Sequence, residues 1–417
     1  MIILPANTLS TGGYEVANSC RFNDGDAPDL TRSKGASETS LKKGTFSFWI
    51  KRAGIEQTMI YSNTVEDDNN RAFIQLNSDH KLRIHDNDTS GDNLAIITTQ
   101  VFRDPSAWSN FVIAFDTTQG TAANRVKIYY NGTQITAFDT ETYPAQDIDL
   151  KIFEGGQTNK EVIGGINGGT SDAEFYLAEF VFIDGTQNAV TDFGEFNEDS
   201  PTIWQPIDVS GLTFGNNGFY LDFEDSDNLG DDESGNTSDF TENNLAATDQ
   251  TTDTPTNNFC TMNSLDNYPL STQGTFSEGN CIVVTGQGSS SSNGYSHFTG
   301  TFGLSAGKWY WEAKCTDTGA ASLIGIVDKP ADAANSALNS YTYGYGYRHN
   351  NGDIYNNGSN ADYGDTYGTS DIIGVALDLD NNKLYFSKGG TWQNSGDPTS
   401  GSTGTGAKSI TAVASTN

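Results

Sequence analysis

Five side chains late in the chain carry groups suited to holding a ligand by stacking and hydrogen bonding: Arg348, His349, Tyr355, Tyr363 and Trp392. They lie in or beside the turn-rich stretches "HNNGD", "YNNGSNADYG" and "GGTW", where exposed side chains are expected. Tyrosine and tryptophan offer a flat apolar face with a polar edge, which suits weak glycan or peptide binding. The preceding row "YTYGYGYRH" would set Tyr341, Tyr343, Tyr345 and Tyr347 on one face of a strand. Such a row serves equally as a glycan platform or as the packed inner face of a sheet.

Catalysis would need an acid/base pair. A β-sandwich that hydrolyses glycosides works through two neighbouring carboxylates. "QDIDLKIFEGG" offers Asp147, Asp149 and Glu154, and "EFYLAEF" offers Glu174 and Glu179, which alternation places on opposite faces. With four histidines (His80, His85, His297, His349) and no nucleophile motif around a serine, a non-enzymatic protein is expected. Alternation turns Glu179 inward beside Leu177 and Val181, where a lone carboxylate is costly, so an arginine or backbone amides should satisfy it.

Calcium is the metal these residues could hold, through clustered oxygens. The densest clusters are Asp24, Asp26 and Asp29 in "FNDGDAPD", Glu66, Asp67 and Asp68 in "VEDDNN", and Asp225, Asp227, Asp231 and Asp232 in "EDSDNLGDDE". The third approaches a calcium loop, but Leu229 falls at a ligand position and no glutamate closes it. Solvated acidic turns are the competing reading.

The elements that must position these groups are strands. In 417 residues, 45 glycines and 11% aromatics accompany few runs of good helix formers, which favours antiparallel β-sandwiches with many turns. Lys and Arg number 22 against 54 Asp and Glu, a formal charge of −32 that would repel phosphate backbones, so nucleic-acid binding is not expected. Cys20, Cys260, Cys281 and Cys315 have no metal-ligand spacing and no disulfide framework, and read as free thiols. Neither a signal peptide, a membrane anchor nor an 18-residue apolar run is recognisable, so no membrane insertion is expected.

Residues 1–14 read as an extension. Residues 15–196 form a succession of strands, among them "GTFSFWIKR", "WSNFVIAFD", "NRVKIYYNGTQI" and "EFYLAEFVFIDG", suited to a jelly-roll sandwich. Residues 197–275 are an irregular acidic connector, expected to dock in part because Phe219, Leu221 and Phe223 alternate and Trp204 is costly to expose. "GQGSSSSNG" reads as a mobile loop. From residue 276 strands resume and end in the hairpin "IIGVALDLDNNKLYFSKGG", with Ile373, Val375, Leu377 and Leu379 on one face and Asn381-Asn382 at its turn.

"GKWYWEAKC", "LIGIVD", "YGYGYRHNNGDIYNNG" and "DIIGVALDLDNNKLYFSKGGTW" resemble, in order and spacing, the SPRY family over about 115 residues. The resemblance implies a binding module whose loops hold a partner. It also implies further strands after "GAKSITAVASTN", and hence an incomplete sandwich with an open edge. The earlier motifs "FSFWIKR", "WSNFVIAFD", "VKIYYNGTQI" and "YLAEFVFIDGT" are similar to laminin G and concanavalin A-like lectin domains. The composite order, with "FGEFNED", "IWQP", "NGFYLDFED" and "NNLAATDQTTDTPTNNF" between the halves, resembles virion structural proteins of tailed bacteriophages. That implies a tail fibre, spike or head-attached fibre exposed on the particle and released by lysis. Its partners would be other virion proteins and a host-surface glycan or protein, and it would be present as a homo-oligomer or in many copies. Two alternatives remain: a purely structural decoration protein, and a polysaccharide-degrading tailspike.

Overall fold

Alternating apolar residues and frequent glycine leave extended chain as the regular structure open to most of this sequence. The computed structural model describes residues 13–34, 37–64, 70–155, 160–166, 173–267, 274–285, 297–317, 322–330 and 337–413. Among them all regular elements are β-strands or short 3-10 turns, and no helix is long and apolar enough to cross a membrane. The acidic run 66–68 and the serine-rich loop 286–294 lie outside the described residues. The four cysteines are free thiols, Cys20 and Cys315 buried, Cys260 and Cys281 exposed.

The chain divides into two compact units. Among the described residues one comprises 13–261 with 277–282, and the other 262–276 with 283–413. The first holds two eight-stranded antiparallel sheets. One runs, in spatial order, Thr133–Ile135, Val126–Tyr130, Ser109–Asp116, Lys43–Arg52, Phe175–Asp184, Ser19–Phe22 and Gln250–Thr251, with Phe219–Leu221 also pairing Phe175–Asp184. The other runs Phe138–Thr142, Gly91–Val101, Lys81–Asp88, Arg71–Leu76, Thr58–Thr64, Lys160–Ile163, Asp29–Ser33 and Thr241–Asn243. Strands from 219–251 thus add to both sheets, and Phe219, Leu221, Phe223 and Phe240 join the aromatic core between them. In that core Phe46 stacks on Phe182 at 4.5 Å and packs on Tyr61 at 4.7 Å.

The central strand Phe175–Asp184 is buried along its whole length. Its pairing slips by one residue between Ala178 and Val181, and Glu179 there takes φ 50°, a β-bulge. Simple alternation therefore fails after Ala178. Phe175, Leu177, Phe180 and Phe182 face the core between the sheets, whereas Val181 and Ile183 join Phe193, Val209, Phe214 and Tyr220 in a second apolar layer on the outer face. Trp204, with Trp49, Trp108 and Tyr176, lies in a third cluster on that face.

Buried charge ties distant segments together. Lys51, with no solvent exposure, donates from Nζ to Asp253 Oδ2 (2.7 Å), Asn258 Oδ1 (2.8 Å) and the Phe259 carbonyl (2.6 Å). The other Asp253 oxygen accepts from Trp108 Nε1 (2.9 Å) and the Phe259 amide (3.1 Å). In the second sheet the buried Glu161 carboxylate accepts from Arg32 Nε and the Tyr61 hydroxyl, both at 2.5 Å, with Lys34 Nζ at 3.4 Å. Burial alone would raise its pKa, but the Arg32 and Lys34 charges outweigh it and hold Glu161 below the ordinary carboxylate value. The Arg32 guanidinium is itself sandwiched over Phe219 and Phe240 at 4.8 and 4.7 Å.

Surface turns use acids locally. Asp88, Asp116, Asp208 and Asp397 each accept the backbone amide two residues on, from Ser90, Thr118, Ser210 and Thr399.

The second unit holds a five-stranded and a four-stranded antiparallel sheet. The former consists of Lys308–Lys314, Ile372–Asp378, Lys383–Lys388 and Thr391–Trp392, with Lys408–Ser409 also pairing Lys383–Lys388. The latter runs Leu323–Ile326, Tyr345–Arg348, Asp353–Asn356 and Ser359–Asp362. Ile373, Val375, Leu377, Leu384 and Phe386 of one sheet meet Tyr345, Tyr347 and Ile354 of the other in one core, with Tyr347 stacked on Phe386 at 5.2 Å. Asn382 takes the left-handed conformation at the hairpin turn, φ 56°. Both sheets of each unit face a shared apolar core, so the fold is all-β and built of two antiparallel sandwiches.

Replacing Asp253 by alanine leaves the Lys51 ammonium buried without its charge partner. The Asp253→Ala protein should lose about 3–5 kcal/mol in the unfolding transition of the first unit, read by urea denaturation. A loss within about 0.5 kcal/mol, the range of ordinary surface changes, would show that this pair does not tie residues 253–259 to the sheet.

Candidate functional site

Alternation along Tyr345–Arg348 sends Tyr345 and Tyr347 into the core and Gly346 and Arg348 outward. The next strand pairs Ile354 with Tyr347 and Tyr355 with Gly346, so Tyr355 emerges on the outer face beside Arg348. The Arg348 guanidinium lies 5.1 Å from the Tyr355 ring centroid and donates from Nη1 to its hydroxyl at 2.9 Å. Asn351 Nδ2 donates to the same hydroxyl (3.1 Å) and to Asp353 Oδ2 (2.8 Å). Asn360, opposite Tyr355 on the edge strand, donates to Asp353 at 2.5 Å. One sheet face therefore presents an aromatic ring held by a cation and flanked by two amides and a carboxylate. Such a set can stack on a flat ligand and exchange hydrogen bonds with hydroxyl or amide groups.

Of the five residues singled out in the sequence, the fold brings only Arg348 and Tyr355 together. His349 is 8% exposed; its Nδ1 lies 3.0 Å from the Ser322 amide that donates to it, and its ring meets Tyr367 edge-on. Tyr363 is 7% exposed, its hydroxyl accepting from the Phe386 amide and its ring edge-on to Tyr347 and Phe386. Both were expected at an exposed rim, and both are core because alternation and the tyrosine-rich interior draw them in. Trp392 is half-buried on the other sheet, near Tyr310 and Tyr385 at 6.2 and 6.4 Å. The tyrosine row divides: Tyr345 and Tyr347 are core, whereas Tyr341 and Tyr343 precede the strand. Asn351, Asp353 and Asn360 were missed as individual residues, although the turns "HNNGD" and "YNNGSNADYG" that hold them were read as exposed.

The calcium candidates do not converge. Asp26 accepts from Asn23 Nδ2 (2.8 Å), Asp29 from Asn243 Nδ2 (2.6 Å), and Asp225 from the Asp227 amide (2.8 Å). Asp232 caps the Tyr220 amide, and Leu229, at the position where a loop of this type needs a ligand, is fully buried in the core. Among the described residues no three His, Cys, Asp or Glu side chains are placed to hold a metal ion. Asp225 and Asp232 thus accept backbone amides within their own acidic stretch, the turn reading weighed beside calcium, while Asp26 and Asp29 accept from asparagine side chains. Asp24 instead lines a hollow of about 300 Å³ with Glu56, Gln57, Thr58 and Glu174, and the Glu174 pKa is raised by burial and then by Asp24.

Residues 27–189 match the model of the Concanavalin A-like lectin/glucanases superfamily, and residues 308–404 match that of the SPRY domain. Over 120 residues the chain is 35% identical to the ATP-dependent RNA helicase Ddx1 of Drosophila melanogaster; the stretch is 28% of this chain and 16% of the helicase, so the chain spans well under two thirds of that relative. Among solved structures, domains LG4-5 of the mouse laminin alpha1 chain are similar with a TM-score of 0.34 at 12% identity, covering 98% of this chain and 83% of that one. A SAP-like pentraxin from Limulus polyphemus has a TM-score of 0.30 at 16% identity, over 42% of this chain and 80% of that one. A sialidase CBM40 from Ruminococcus gnavus has a TM-score of 0.30 at 12% identity, over 42% and 95%.

Glu179 belongs to neither surface. It is 5% exposed and accepts from the hydroxyls of Tyr220 (2.8 Å) and Tyr14 (3.2 Å). The expected arginine or amide partners are absent from its described hydrogen bonds, because the bulge turns its carboxyl away from the strand ladder towards the outer face. Burial pushes its pKa up from 4.5 to about 8, which the two tyrosines only partly offset. Below 4.5 the group is protonated in both folded and unfolded chains and its contribution is fully present. As pH rises towards 8 the unfolded chain ionises while the folded one cannot without cost, so stability is lost across this window. Asp86, raised by burial to about 7, adds in the same direction. Glu179→Gln, which keeps an acceptor for both tyrosines, should flatten much of the fall in melting temperature between pH 5 and 8 expected on these shifts. An unchanged slope would mean that Glu179 ionises freely in the folded protein.

Proposed function

We propose that the chain is a non-enzymatic binding protein exposed on a tailed-phage particle, where its SPRY unit holds a host-surface ligand, a glycan or protein. The observation that carries the binding reading is the Arg348–Tyr355 array with Asn351, Asp353 and Asn360 on an outer sheet face. The matches to a SPRY domain and to a lectin-containing superfamily support it, since the latter's members include sugar binders. The virion assignment rests on the order of motifs across the two halves, and with it come many copies per particle, other virion proteins as partners, and weak single-site affinity raised by avidity.

One observation favours a second reading. The hollow that gathers Asp24, Glu56 and Glu174, with Glu174 biased towards its protonated form, is the kind of carboxylate setting a polysaccharide hydrolase needs.

Particles carrying Arg348→Ala with Tyr355→Ala should adsorb to host cells about tenfold less, the equivalent of about 1.4 kcal/mol, with assembly and melting temperature unchanged. Normal adsorption with misassembled particles would replace host binding by a structural, decorating role. Shortened polysaccharide chains after incubation with purified protein, abolished in Glu174→Gln, would establish the hydrolase.

A further inference from the structure

We propose that a second copy of this chain docks on the second unit, strand to strand, along the edge Lys308–Lys314. This strand is seven residues long and is bordered on one side only, by Ile372–Asp378. Among the described residues the other border strands of the unit's two sheets have four residues or fewer. Native sheets blunt a long edge with proline, a bulge or early termination, because an unpaired backbone invites another strand. Lys308–Lys314 has none of these: it holds no proline, and its register runs unbroken from Lys308 opposite Asp378 to Lys314 opposite Ile372.

The existing ladder fixes which backbone groups are left over. Just beyond the strand's ends the Leu379 amide donates to the Gly307 carbonyl and the Cys315 amide to the Asp371 carbonyl, both at 2.9 Å. Both bonds continue the register with Ile372–Asp378, so Trp309, Trp311 and Ala313 turn their N–H and C=O groups into the ladder, while Lys308, Tyr310, Glu312 and Lys314 turn theirs to the open side. Those outward amides and carbonyls have no partner among the described residues. The side chains are as unfinished as the backbone. On the inner face Trp309 and Trp311 pack on the core yet stay only half-buried, and on the outer face Tyr310 is 37% exposed. A strand laid along this edge would take up the backbone groups and remove apolar surface from water on both faces at once.

Charge complementarity selects the occupant. In a two-fold antiparallel pairing centred on Tyr310, Lys308 of each copy stands opposite Glu312 of the other, Trp309 opposite Trp311, and Tyr310 opposite its own copy. Outward-turned residues then meet outward-turned residues, so the hydrogen bonds close in both directions. Neighbouring registers are worse. One step towards the C-terminus sets Lys308 against Lys314, and the next sets Glu312 against its own copy; one step the other way leaves Glu312 opposite Ala306, and the next sets Lys308 against its own copy. The strand is thus self-complementary in one register, which is what an isologous dimer requires. Arg348 and Tyr355 lie on the other sheet of the unit, so this contact is independent of what their face binds.

The test is sedimentation equilibrium of the full chain in about 0.15 M salt, which screens the general repulsion between two acidic molecules. A monomer–dimer equilibrium is expected with a Kd of about 100 µM, as suits a small interface. Tyr310→Pro removes an outward N–H and no ladder bond, and should weaken the dimer about tenfold or more with the melting temperature of the dilute protein unchanged. Glu312→Lys, which sets a lysine opposite Lys308, should weaken it similarly, and adding Lys308→Glu on the same chain should restore it by exchanging the charges. In the unaltered chain, amide exchange at Lys308, Tyr310 and Glu312 should slow as concentration rises, whereas Trp309 and Trp311, already in the ladder, should not change. The proposal is overturned if the chain is monomeric at about 1 mM, if association survives both Tyr310→Pro and Glu312→Lys, or if the charge exchange fails to restore what Glu312→Lys loses.

Discussion

The Lys51 ammonium, held by three oxygens from residues 253–259 and shut off from solvent, is the contact on which the closing of the first unit depends. A charge in such a place is tolerable only while its partners stay. Asp253 in turn accepts from Trp108, so the same carboxylate fixes an indole in the outer cluster. The segment after residue 196 is therefore part of the sandwich's fabric, adding strands to both sheets and aromatic rings to the core. The Glu161 cluster repeats the arrangement in the second sheet, where Arg32 joins a carboxylate to two phenylalanine rings.

Much of this architecture was legible because strand period and turn chemistry are local. Ile373, Val375 and Leu377 face one core as their spacing requires, and Asn382 takes φ 56° at the Asn381-Asn382 hairpin turn. The bulge at Glu179 was not legible: one extra residue inverts every later side chain on that strand, and nothing in "FYLAEFVFI" announces where the slip falls. Nor could composition pair Lys51 with an aspartate 202 positions away. At the SPRY face, the turns are exposed as read, yet His349 and Tyr363 within them are buried because a turn-proximal aromatic can still be drawn into a tyrosine-rich core.

The two candidate surfaces differ in chemistry. The SPRY face carries a cation over a ring and a carboxylate within reach, which suits a ligand with polar groups at fixed spacing. The hollow beside Asp24, Glu56 and Glu174 gathers carboxylates instead.

The acids that cap surface turns have a colloidal consequence. Ser90, Ser210 and Thr399 bonds hold Asp88, Asp208 and Asp397 below the ordinary carboxylate pKa, and Thr118 and Gln119 do so for Asp116 against its partial burial. Such groups keep their charge in media acidic enough to neutralise free carboxylates. In acid, where most of the 54 carboxylates are neutral and the 22 Lys and Arg side chains set the net charge, these retained negative charges offset part of it and move the point of zero net charge to lower pH.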